Sequence, residues 1–121
     1  MPEVVTVRED LGIIEIRSYG EVNERDLTAS RDRVAEIIRE RGLTEVLVDA
    51  RELTSLPPTF ALFLFGKSFA DNEGLRTMKL AGVVSEKTTK DMSFIETVAR
   101  NRGVAMRIFK SMEAAVAWLK E

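Results

Sequence analysis

The chain has 121 residues, 45% of them apolar and 31% charged, with a net charge of −2. That is enough for one hydrophobic core and too little for two, and the near-neutral balance provides no field toward nucleic acid or an anionic membrane. Cys and His are both absent, which excludes disulfides, thiol nucleophiles, His-dependent catalysis and thiolate or imidazole metal sites, so no metal or other cofactor is expected.

Two strands are expected first, Val4 to Arg8 and Ile13 to Ser18, joined by the turn Glu9-Asp10-Leu11-Gly12. Ile14 and Ile16 alternate with Glu15 and Arg17, the period of a strand with one wet face. Asn23 is a good N-cap for a helix whose Leu27, Val34, Ile37 and Ile38 recur at helical spacing, and Gly42 follows as its C-terminal stop. Val46-Leu47-Val48, ending in Asp49, reads as a short parallel strand, with Val48 buried on both faces of the sheet. Leu56-Pro57-Pro58 then leads into a helix from Phe60 to about Ala70. Asp71-Asn72-Glu73-Gly74 reads as a loop. Lys79 to Val84 is the next strand, and Thr88 to Arg102 the third helix, with Met92, Ile95, Val98 and Ala99 on one face and Gly103 ending it. Val104 to Phe109 is the last strand, and Ser111 caps a final helix carrying Ala115, Trp118 and Leu119. The order β-β-α-β-α-β-α-β-α predicts a single α/β domain spanning 1–121, with a mostly parallel sheet and an antiparallel strand from the N-terminal hairpin.

No targeting segment is expected, because Met1-Pro2-Glu3-Val4 opens without a basic region and an apolar run. The longest apolar run, Phe60 to Phe65, is far below the ~20 residues of a membrane span. A cytoplasmic protein is the expectation.

The segments GIIEIRSYGEVNERDL, VLVDARELTSLPP, KLAGVVSE and AMRIFKSMEAAVAWL, taken in that order, resemble the STAS-like family of bacterial anti-sigma-factor antagonists from about Val5 to Leu119. The aromatic ending, Phe109 with Glu113-Ala114 and Trp118-Leu119, is similar to an uncharacterised bacterial branch of that fold sometimes grouped with the CRAL-TRIO lipid-transfer domains. The resemblance implies the architecture and a regulatory role. It also implies a phosphorylatable Ser after an Asp at the start of the helix that follows the Asp-ending strand. Counting from Asp49, that pair falls on Pro57-Pro58, neither of which takes phosphate, and Thr59 is the nearest hydroxyl. The departure weakens a phospho-switch and leaves the fold.

Two groups of residues stand out. Asp49, Arg51, Thr59, Ser85 and Lys87 lie beyond the carboxyl ends of the parallel strands, where ligands bind such sheets. Turn and cap chemistry accounts for the same residue types there. No enzyme is expected: Ser85 and Lys87 are two apart, which points them away from one another at a helix start, and Asp49 with Glu52 has no constellation around it. The second helix carries two apolar stripes. Leu62, Phe65 and Phe69 should pack on the sheet, which leaves Phe60, Phe63 and Leu64 as a surplus stripe that marks a contact. The reading favoured is a non-catalytic regulatory or protein-interaction module, homodimeric through that stripe. A carrier or sensor of a small apolar, lipid-like ligand, with the stripe as pocket wall, is the alternative; a phospho-regulated anti-sigma-factor antagonist using Thr59 is the third.

Overall fold

The structure, a computed structural model, describes residues 2–121. Its elements are β1 (Glu3–Arg8), β2 (Ile13–Glu21), α1 (Glu24–Arg41), β3 (Glu45–Ser55), α2 (Thr59–Ser68), α3 (Glu73–Arg76), β4 (Lys79–Val83), α4 (Thr89–Arg100), β5 (Ala105–Phe109) and α5 (Met112–Leu119). A 3-10 turn, Phe69–Asp71, extends α2. The expected alternation is present, with one addition. The stretch read as a loop holds the single turn α3, because the Asn72 side chain accepts a hydrogen bond from the Leu75 amide at 3.1 Å and Leu75 is buried.

The five strands lie in the order β1-β2-β3-β4-β5, with β1 antiparallel to β2 and all later pairs parallel. Every crossover therefore steps the same way across the sheet. Right-handed connections all stepping one way place their helices on one face. Accordingly α1, α2 and α4 share one apolar cluster, with Val34, Leu62 and Ile95 as examples. The helix α5 closes no crossover, and it packs Ala115 and Leu119 on the opposite face against Ile13, Leu47, Ala81 and Val83. It covers β3, β4 and β5, and the same face of β1 and β2 is left with Val4 and Tyr19 about two-fifths exposed. No helix of the described residues is long and apolar enough to cross a membrane.

Two strands outrun the pattern read from sequence. β2 continues to Glu21 and β3 to Ser55, still paired beyond the alternation, across register shifts at Arg17/Tyr19 and Gly20/Glu21. Gly20 takes φ +68 there, a left-handed conformation that costs glycine little. At the far edge of the sheet, the Ile108 amide of β5 donates to the Glu96 carboxylate of α4 at 2.8 Å.

Val48 is not buried on both faces. It is half-buried, because its side chain lines an internal cavity between the sheet and α1, α2 and α4. Phe65 is half-buried between that cavity and a surface groove, while Leu62 and Phe69 are buried as expected.

Candidate functional site

The carboxyl ends of β3 and β4 do form a surface hollow. Arg51, Glu52, Leu53, Thr54, Ser85, Glu86 and Lys87 line it, so Arg51, Ser85 and Lys87 come together as the strand rule predicts. Asp49 joins them through Arg51, whose Nε and Nη2 each donate to its carboxylate at 2.9 Å. That pairing holds the Asp49 carboxyl below the usual aspartate range, helped by the Arg51 backbone amide and resisted by partial burial. The guanidinium is thus already engaged, and Glu52 and Glu86 offset Lys87 around the rim. The hollow has no surplus positive charge with which to hold an anion. The Ser85 hydroxyl is buried and without a hydrogen-bond partner among the described residues, as is that of Thr88 at the start of α4.

Thr59 is elsewhere, exposed at the first turn of α2. Pro58 precedes it and makes no side-chain cap; its carbonyl accepts from the Leu62 amide at 3.1 Å.

The surplus stripe of α2 splits in two. Phe60 is 72% exposed and Leu64 45%, one helical turn apart on the same face. Phe63 is half-covered, with the Arg102 guanidinium 5.3 Å from its ring centroid. A cation over a ring face is attractive, and it places Phe63 on the α4 side, apart from the other two. The seat of α2 is set by Gly66. A side chain there would meet Val98 of α4 at 3.1 Å, so the absence of one lets the two helices approach closely. Phe60 and Leu64 consequently cannot rotate into the core.

Sequence reasoning missed the polar residues that line the internal cavity: Glu3, Ser18, Ser30 and Arg31. Two carried a legible signal. Ser18 continues the inward alternation Ile14-Ile16-Ser18 of β2, and Ser30 falls within the buried stripe of α1 between Leu27 and Val34. A polar residue at an inward position needs a partner. The Ser18 hydroxyl donates to Glu3 at 2.5 Å.

The model of the SpoIIAA-like family matches residues 13–120. Among solved structures, the anti-sigma factor antagonist SpoIIAA in its unphosphorylated form aligns with a TM-score of 0.61 at 14% identity, covering 98% of this chain and 97% of that one. An uncharacterized protein of the DUF3478 family with a SpoIIAA-like fold, from Shewanella loihica PV-4, aligns with a TM-score of 0.64 at 14% identity, covering 97% and 91%. No curated protein matches the chain in sequence.

Proposed function

We propose, on the premise that the chain belongs to the SpoIIAA-like family, that it is a cytoplasmic, non-catalytic regulatory module that works by docking protein on the outer face of α2. The fold supports a protein-interaction role. The observation that carries the reading is the pair Phe60 and Leu64, large apolar side chains held in solvent on a helix whose other face is fixed by the Gly66 approach to α4. Single exposed apolar residues are ordinary; adjacent ones on a rigid helix face form a patch. The occupant is a second copy of the chain. A twofold axis brings the same helix face against itself, so one short patch supplies both halves of the contact.

Sedimentation velocity on the parent and on Phe60→Glu and Leu64→Glu tests the reading. The parent is expected to be a dimer at micromolar concentration, and both variants monomers with unchanged thermal unfolding at low protein concentration. A charge at this position enters the contact twice and has no partner in it. A monomeric parent, or variants that still dimerise, would overturn the self-association.

A further inference from the structure

Behind α2, on the side away from Phe60 and Leu64, the core is incomplete. A cavity of about 60 Å³ lies between the sheet and helices α1, α2 and α4. Most of its wall is aliphatic, aromatic or Met, with Ile16, Val48, Met92 and Ile95 among the lining residues. Glu3 breaks that pattern. One of its carboxylate oxygens accepts from Ser18, and the other, Oε1, is buried with no hydrogen-bond partner among the described residues, the Ser30 hydroxyl lying nearby without bonding it. Burial pushes the Glu3 carboxyl up, against the pull of the Ser18 and Ser30 hydroxyls. A buried acceptor left unmatched is costly, so something that donates a hydrogen bond belongs there.

The cavity also has a way in. A surface groove of about 200 Å³ runs between α1 and α2, bordered by Thr28, Ala61 and Leu64. Groove and cavity share Leu27, Arg31 and Phe65. The Phe65 ring stands between them, edge-on to Phe69 with centroids 4.9 Å apart. The helices α1 and α2 pack less closely than α2 and α4, and a half-buried ring changes rotamer without unfolding its helix. The cavity alone is smaller than the ~150 Å³ that accommodates a benzene ring, so occupancy requires Phe65 to swing aside and add the inner part of the groove to it.

We propose that this space is a binding site for a small, uncharged, largely apolar molecule bearing one hydroxyl, which donates to Glu3 while Phe65 gates the passage. The charge class follows from the wall. A carboxylate would meet Glu3, and the nearby guanidinium of Arg31 is already committed to Asp32 at 2.9 Å and Ser68 at 3.1 Å. Leu64 of the docking patch borders the entrance while Phe60 does not, and the two readings are tested apart, ligand binding by amide shifts and docking by sedimentation.

The test uses the full chain, labelled with nitrogen-15, titrated with benzyl alcohol and separately with toluene. Benzyl alcohol is expected to shift the amides of Leu27, Ser30 and Ile95 saturably, and to bind about three- to tenfold more tightly than toluene, the ratio one neutral hydrogen bond supplies. In Glu3→Leu the preference is expected to vanish. Phe65→Ala is expected to speed exchange of both probes. Equal affinity of the parent for the two probes would overturn the role of Glu3, whether or not Glu3→Leu folds. The absence of saturable shifts at those amides in both the parent and Phe65→Ala would show that the cavity holds water alone and would overturn the site.

Discussion

Substituting Gly66 tests how firmly α2 is seated. In an exposed helix, Gly→Ala stabilises by about 0.5–1 kcal/mol, since Ala loses less backbone entropy. At Gly66 the added Cβ would lie 3.1 Å from Val98 Cγ1, 3.2 Å from Val98 Cβ and 3.4 Å from the Ile95 carbonyl oxygen. Ordinary carbon contacts begin near 3.5 Å. The Val98 Cβ is fixed to its own helix, and a β-branched side chain in a helix has essentially one rotamer, so neither Val98 atom can swing clear. The overlap must be relieved by moving α2 away from α4, which opens contacts along both. Overpacking of this kind costs about 1–3 kcal/mol. The helix gain offsets part of that, and Gly66→Ala should destabilise by about 1 kcal/mol. Urea unfolding followed by circular dichroism reads the change. A double-mutant cycle with Val98→Ala should recover about half of it, as one of the two close Val98 atoms is then gone. A Gly66→Ala variant more stable than the parent would show slack between the helices and refute the argument that Phe60 and Leu64 are held outward.

Further outcomes follow from single side chains. Thr88 is 1% exposed with an unpartnered hydroxyl, so Thr88→Val should stabilise by about 1 kcal/mol in thermal unfolding, although Thr at a helix start normally caps; a loss instead would mean that the hydroxyl holds a buried water. For Glu3, whose carboxyl burial raises, the neutral form is favoured in the folded state, so the favourable contribution is complete below the usual glutamate range and is lost as pH rises through the folded value. Glu3→Gln should therefore match the parent below about pH 4 and exceed it at neutral pH; a parallel pair of stability curves against pH would contradict the burial. Asn23 and Asp26 cap α1 reciprocally, with bonds of 2.8 and 3.0 Å, and Asn23→Ala should cost about 1 kcal/mol by urea midpoint, with an unchanged midpoint as the refuting result.

The helices and strands were legible where one residue type has one local job. Asn23 caps and Gly42 stops α1 with a left-handed φ of +70, as their chemistry requires. The long arms of β2 and β3 were hidden because their stability comes from pairing with one another across a bulge, which periodicity within either strand cannot reveal. The polar residues at the strand ends were legible as a cluster, through topology alone. Their charge balance was not, since Arg51 is neutralised by Asp49 two residues away only because both project from the same side of a strand. The double stripe of α2 announced an excess of apolar surface. That Phe63 would be sheltered by Arg102, from the turn that follows α4 far along the chain, lies beyond any local pattern. The cavity was silent for a related reason: a void is a property of side chains from all five strands and four of the helices that fail to meet, and no residue encodes it alone.

The carboxylate of Glu96 on the Ile108 amide bears on how copies of this chain can associate. An outer strand exposes donors that another chain could match, the start of sheet-to-sheet polymerisation. Here a side chain of the neighbouring helix occupies that donor from within the same molecule, so β5 offers an incoming strand a broken ladder. Removing the carboxylate, as in Glu96→Ala, would restore that donor to the β5 edge. With it in place, backbone pairing with another chain at this edge is disfavoured relative to contacts made by side chains, which are finite and reversible.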